Sequence, residues 1–196
     1  VPAPAPRRSG RPHASSRAML EEAAGELFLE RGYATTSIAD ITQRAGVSRS
    51  TFFNYFTAKS DLLWAAFDER VEALQAALAT APADATPGAA VEVALRDLAA
   101  RLPADHVALA FTQADTMGLG DDLRLAAARR TADLGATIAA YAAGRGVDPL
   151  HARVAGAAWA GALVAAVEAW ALAGAGRTRL PDLLDHALAP VRGALH

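Results

Sequence analysis

The chain has no cysteine among its 196 residues, which excludes disulfides, thiolate nucleophiles and cysteine-ligated zinc or iron-sulfur centres. Aromatic residues make up only 6%, and there are two methionines, so few large side chains are available to fill a core. Lysine occurs once, as Lys59, although Lys and Arg together number 19. There is no Gly-rich phosphate loop, GxSxG elbow or HExxH pair. The five histidines (His13, His106, His151, His186 and His196) are scattered, and none pairs with another at the i,i+4 spacing of a helical metal site. These absences argue against an enzyme and predict no cofactor or metal. The start, VPAPAPRRSGRPHASSR, has no apolar stretch after its positive charges, so it does not read as a signal peptide and the expected location is cytoplasmic.

What is abundant points to helices. Apolar residues reach 53%, and roughly a quarter of the chain is alanine, the best helix former. The expected fold is all-α. The run VAGAAWAGALVAAVEAWALAGAG at 154–176 is long enough to span a membrane. It consists mostly of small residues and contains Glu168, so it reads as a buried helix of a soluble protein. The net charge of -2 conceals a division: residues 1–60 carry an excess of three positive charges, and the remainder an excess of five negative ones. A basic head on an acidic body suggests a polyanion partner for the first segment, or else a solvated arginine-rich tail.

Periodicity sharpens the head. Leu20, Ala23, Ala24, Leu27 and Phe28 recur at i, i+3, i+4, i+7 and i+8, an apolar stripe on a helix that ends at Arg31 and Gly32. Ser37 and Asp40 read as the N-cap and N3 positions of a capping box, followed by Ile38, Ile41 and Ala45 on one face of a short second helix. Gly46 and Val47 form a turn and Ser48 caps a third short helix. There Phe52, Tyr55 and Phe56 are expected along a buried side, leaving Arg49, Ser50 and Asn54 on another. Two short helices joined by a tight glycine turn form a helix-turn-helix.

The run AAGELFLERGYATTSIADITQRAGVSRSTFFNYFTAKSDLL resembles the DNA-binding domain of the TetR family of bacterial transcriptional regulators, over 17–63. The resemblance is carried by LF....GY..TT closing the first helix, I..I...AGVS through the turn, and T.F.YF..K..L leading into the fourth helix. SRSTFFNYF..K.DLLWAAFD is also similar to an actinobacterial branch that includes mycofactocin-type regulators. Two positions depart from the family pattern. Phe53 stands where a tyrosine often contacts the DNA backbone, and Ser50, where glycine is common, adds a polar contact or fills space.

A recognition helix presents polar side chains to base edges. Arg49 is the best candidate reader, because a guanidinium bonds O6 and N7 of guanine together; Asn54 suits adenine or a phosphate. The expected DNA-contacting set is Thr36, Ser37, Arg44, Ser48, Arg49, Ser50, Thr51, Asn54, Tyr55 and Lys59. Within it Thr36, the amides opening the second helix, Tyr55 and Lys59 address phosphate. In the tail, Arg7, Arg8 and Arg11 either enter an adjacent minor groove or add nonspecific attraction.

The expected organisation is a basic tail (1–16), a helix-turn-helix domain (17–62) and a ligand-binding and dimerisation domain (63–196). Leu63, Phe67, Val71, Leu74 and Leu78 make a long stripe on a fourth helix running to about Thr80, and TAPADATPG is a linker. Further helices read at 89–102, 105–117, 121–143, 149–173 and 181–195, about nine in all. Asp148 and Pro149 start one, and Pro190 ends or kinks the last. The resemblance implies a homodimer and a ligand pocket. Gly156, Ala157, Ala160, Gly161, Ala165 and Ala169 permit close approach of a partner's helix, or of a helix in the same subunit. Trp64, Phe67, Phe111, Met117, Tyr141, Trp159 and Trp170 are the candidate pocket residues, with ordinary core packing as the other reading. His106, Gln113 and His151 are possible polar anchors. The expected protein is a dimeric repressor released from a palindromic operator by a small lipophilic ligand, of acyl-CoA type if the branch resemblance holds. The alternative is a DNA-binding regulator controlled by a protein partner.

Overall fold

Short apolar periods separated by capping residues become helices throughout. The computed structural model describes residues 16–103, 120–174 and 177–195, and among them there are eight α-helices, one 3-10 turn and no strand. The chain divides into two units, Val1–Ala58 and Lys59–His196. The tail arginines and the helix expected at 105–117 lie outside the described residues.

The first unit contains α1 (Ser16–Arg31), α2 (Ile38–Ala45) and α3 (Arg49–Tyr55). The expected stripe of α1 is buried in full, and the helix stops where Gly32 takes φ +82° and donates its N–H to the Phe28 carbonyl. The capping box of α2 forms as read: Ser37 Oγ accepts from the Asp40 amide, and the Asp40 carboxylate accepts from the Ser37 amide at 2.8 Å. The Ser37 hydroxyl, which donates to the same carboxylate at 2.5 Å, then the Ser37 amide and the Arg31 charge hold the Asp40 carboxyl below its ordinary range. Gly46, at φ +68°, then turns the chain into α3, whose N-cap is Ser48.

The second unit contains α4 (Asp61–Ala79), α5 (Pro87–Arg101), α6 (Gly120–Gly144), α7 (Pro149–Ala173), α8 (Leu180–Leu188) and the 3-10 turn Arg192–Leu195. Pro190 follows the end of α8, so the helix expected to reach 195 is shorter than its range. Asp148 caps α7 by accepting from the amides of Leu150 and His151. The most extensive packing is between α6 and α7, and α8 lies on α7 and α5. The α6–α7 contact depends on glycine: a Cβ on Gly156 would collide with the carbonyl oxygen of Gly135, and one on Gly135 would come within 3.3 Å of the Ala157 Cα. Arg130 of α6 ties down the start of α4. It donates to Asp68 at 2.6 and 2.7 Å and to Asp61 at 3.4 Å, with its guanidinium 5.1 Å from the Trp64 ring centre. Helix α7 is long and apolar enough to cross a membrane, but half of its most apolar stretch is buried within the structure, including Trp159, Leu163 and Val167.

Two outcomes are expected. Gly156→Ala should lower thermal stability by about 1–3 kcal/mol, because backbone and not a movable side chain meets the new methyl group; a melting curve equal to the parent's would contradict the close approach. Asp40 has a lowered pKa, so its contribution is full above the ordinary carboxylate range and is lost as pH falls through the folded value. Asp40→Asn should therefore melt below the parent at pH 7 and converge on it in acid, as followed by circular dichroism.

Candidate nucleic-acid interface

The seven residues of α3 are too few to hold a helix alone. Phe52 is fully buried, and Phe56, just past the helix end in extended geometry, turns its ring to 5.5 Å from that of Phe52. Arg17 of α1 lies 5.8 Å from the Phe56 ring centre. The opposite face is exposed and carries Arg49, Ser50, Phe53, Asn54 and Tyr55. Tyr55 is 47% exposed, which corrects the expectation that it joins the two phenylalanines in the clamp. The helix stops at Tyr55, and it is the extended residue Phe56 that folds back into the core. Ser48 Oγ shares hydrogen bonds with the hydroxyls of Ser50 and Thr51, so these three side chains are organised around the helix start.

Three expected contacts are corrected or qualified. Thr36 is 1% exposed, and its hydroxyl donates to the carbonyls of Gly32 and Leu27, pinning the end of α1 to the start of α2; it cannot reach a phosphate. Arg44 is turned onto α1, where it bonds Glu26 and Glu30 at 2.8 Å each. Those bonds raise its pKa further and lower that of Glu30, so Arg44 is a tie between helices and not a cation presented to DNA. The Ser37 side chain is engaged in the capping box but remains on the surface. Lys59 opens the second unit, ahead of Ser60 at the N-cap of α4. Phe53, marked in the sequence as a departure from the family pattern, is 48% exposed beside the buried Phe52, an exposure that the pattern alone did not announce. Adjacent helical residues point about 100° apart, so one ring of the pair had to face out.

The candidate pocket residues of the second unit separate. Trp64, Phe67, Trp159 and Trp170 are buried, with Trp64 and Phe67 in edge contact at 5.5 Å. The indole N–H of Trp159 has no acceptor among the described residues. Tyr141 is half-buried and its hydroxyl accepts from Arg145, whose other nitrogen bonds the carbonyls of Pro82, Ala83 and Ala85. Tyr141 thus belongs to the anchor of the 80–86 linker, which corrects its assignment to the pocket. His151 is exposed, and Phe111, Met117, His106 and Gln113 lie outside the described residues. Of the small residues on α7, Gly156 and Ala160 are buried inside the chain, which removes them from any dimer seam. Ala157, Ala165 and Ala169 are exposed, and a Cβ on Gly161 would meet nothing within 4 Å. An alanine-lined groove of about 800 Å³ runs between α6 and α7, from Ala128 through Ala136 to Ala157.

Comparison with known proteins bears on both units. Residues 20–66 match the family model described as bacterial regulatory proteins, tetR family. The chain is 35% identical over 72 residues to MftR of Mycobacterium tuberculosis, described as a mycofactocin biosynthesis transcriptional regulator, covering 37% of this chain and 34% of that one. It is 36% identical over 74 residues to the transcriptional activator FasR of Mycolicibacterium smegmatis, again covering 37% and 34%. These alignments thus span about a third of the curated relatives they match. The solved structure of Thermus thermophilus FadR, a TetR-family transcriptional repressor in complex with lauroyl-CoA, is similar over 92% of this chain and 95% of its own, at 25% identity and a TM-score of 0.57. With a helix-turn-helix that matches the family model over 20–66 and a helical body of the same fold as FadR, the chain carries the DNA-binding domain of the TetR family of bacterial transcriptional regulators.

Proposed function

We propose that this regulator acts as a cytoplasmic homodimer, which grips a palindromic operator with α3 of each subunit and leaves it when a small lipophilic ligand binds the second unit. The observation that carries the reading is α3 itself: one side locked by Phe52, the other presenting Arg49, Ser50, Asn54 and Tyr55 to solvent. One such helix offers few contacts, and two half-sites about a helical turn apart multiply them. The seam we assign is the outward face of α7, where Ala157, Gly161, Ala165 and Ala169 lie between the exposed Leu150, Val154 and Leu172. For the ligand, an apolar interior whose Trp159 N–H has no acceptor among the described residues suits an acyl chain carrying one carbonyl. The FadR complex with lauroyl-CoA supports the same class. The repressor FadR and the activator FasR stand on opposite sides of the direction of regulation; we take repression, because release by a ligand explains a body separate from the DNA-contacting unit. A site for catalysis forms no part of this reading.

The test begins with a duplex selected from random sequence by the full chain. Lauroyl-CoA should release the protein from it, and failure of acyl-CoAs of every chain length would move the reading to control by a protein partner. Arg49→Ala should cost roughly 1–3 kcal/mol per half-site and relax one symmetric pair of positions. Lys59→Ala should weaken all duplexes alike and lower the salt slope by about 1 per half-site. Equal losses from both substitutions on selected and random DNA would remove Arg49 from base reading. Gly161→Leu has room within the subunit, so it should leave helical content and melting intact while sedimentation shows monomers. A dimer of unchanged affinity would place the seam elsewhere.

A further inference from the structure

Phe53 places a hydrocarbon ring on the exposed face of α3, and its own unit covers only about half of it. Its ring is 48% exposed, yet it is held on two sides. The Phe52 ring meets it edge-on at 5.3 Å and 83°, and the Arg49 guanidinium, one helical turn earlier, lies 5.7 Å from its centre. Arg49, Ser50, Asn54 and Tyr55 surround it on the exposed side of α3. A hydrocarbon ring cannot bond a phosphate oxygen, so the backbone contact that a tyrosine hydroxyl would make is closed to it. In the major groove the one apolar group at a base edge is the 5-methyl of thymine.

We propose that Phe53 is a specificity-determining residue whose exposed ring takes the 5-methyl group of a thymine close to the guanine addressed by Arg49. The four-residue spacing sets the distance. It advances about 6 Å along the helix, against a base-pair rise of about 3.4 Å, so the thymine lies within about two base pairs of that guanine. Covering the ring with the methyl group removes both from water, which gives the contact its sign. The stacked guanidinium is thereby held at a fixed distance from the methyl contact, so the two side chains read a joint step and not two independent bases. This inference rests on the assignment of α3 to the operator.

The experiment uses the full chain and the duplex it selects, with each thymine replaced singly by deoxyuridine, which removes only the methyl group. One symmetric pair of replacements should weaken binding about fourfold per half-site, the worth of one buried methyl group. Phe53→Ala should bind the parent duplex more weakly and make no distinction between thymine and deoxyuridine at that pair. Phe53→Tyr, which keeps the ring, should retain the distinction. Deoxyuridine without effect at every position, or an effect that persists in Phe53→Ala, would overturn the proposal while leaving operator binding by α3 intact. Loss of guanine discrimination in Phe53→Ala without any methyl effect would also overturn it, by reducing the ring to a support for Arg49. If no duplex is selected at all, the DNA-binding reading fails and this inference fails with it.

Discussion

The burial of Phe52 is the interaction on which the exposed face of α3 depends. A helix of seven residues has too few internal hydrogen bonds to repay the ordering of its backbone, so its existence rests on what its inner side chain gains. Complete burial of a phenylalanine contributes about 1.5–3 kcal/mol, and the Phe56 ring adds aromatic contact from beyond the helix end. Once that side is fixed, every remaining side chain of α3 has its direction determined. Arg49, Ser50, Phe53, Asn54 and Tyr55 are outside because Phe52 is inside.

The rest of the first unit keeps that clamp in place with local bonds. The Asp40 capping box starts α2, Gly46 in a left-handed conformation ends it, and the Thr36 hydroxyl fastens the α1–α2 corner from within. Arg44, with Glu26 and Glu30, ties α2 to α1 at the surface. The second unit solves a different problem, since a body so rich in alanine gains little from each side chain. Its answer is closeness: Gly135 and Gly156 let α6 and α7 approach until backbone meets backbone, and many small contacts replace a few large ones. The same abundance of small residues leaves an outward alanine surface on α7.

What was legible in the sequence is what neighbours in the chain decide. The stripe of α1, the Ser37 and Asp148 caps, the glycine stops and the break at Pro190 follow from local chemistry, and the structure has them where the sequence reading put them. What was not legible depends on residues distant in the chain. Nothing near Thr36 announces that the Leu27 and Gly32 carbonyls will take its hydroxyl, and nothing near Arg44 announces Glu26 and Glu30. The face of α7 was equally hidden, because alanine suits a core and a surface alike and leaves no period to read. Gly156 and Ala160 thus turned inward while Ala157 and Ala165 turned out. Tyr141 was aromatic and central in its helix, yet its hydroxyl serves Arg145 and the linker.

The central claim is that the outward face of a clamped α3 reads sequence and does not merely meet a polyanion. The most direct measurement is the affinity of the full chain for its selected duplex and for a scrambled duplex of the same composition, both at physiological salt. The account predicts a ratio of about 10³ or more. Equal affinities for the two duplexes, both falling alike with added salt, would contradict it.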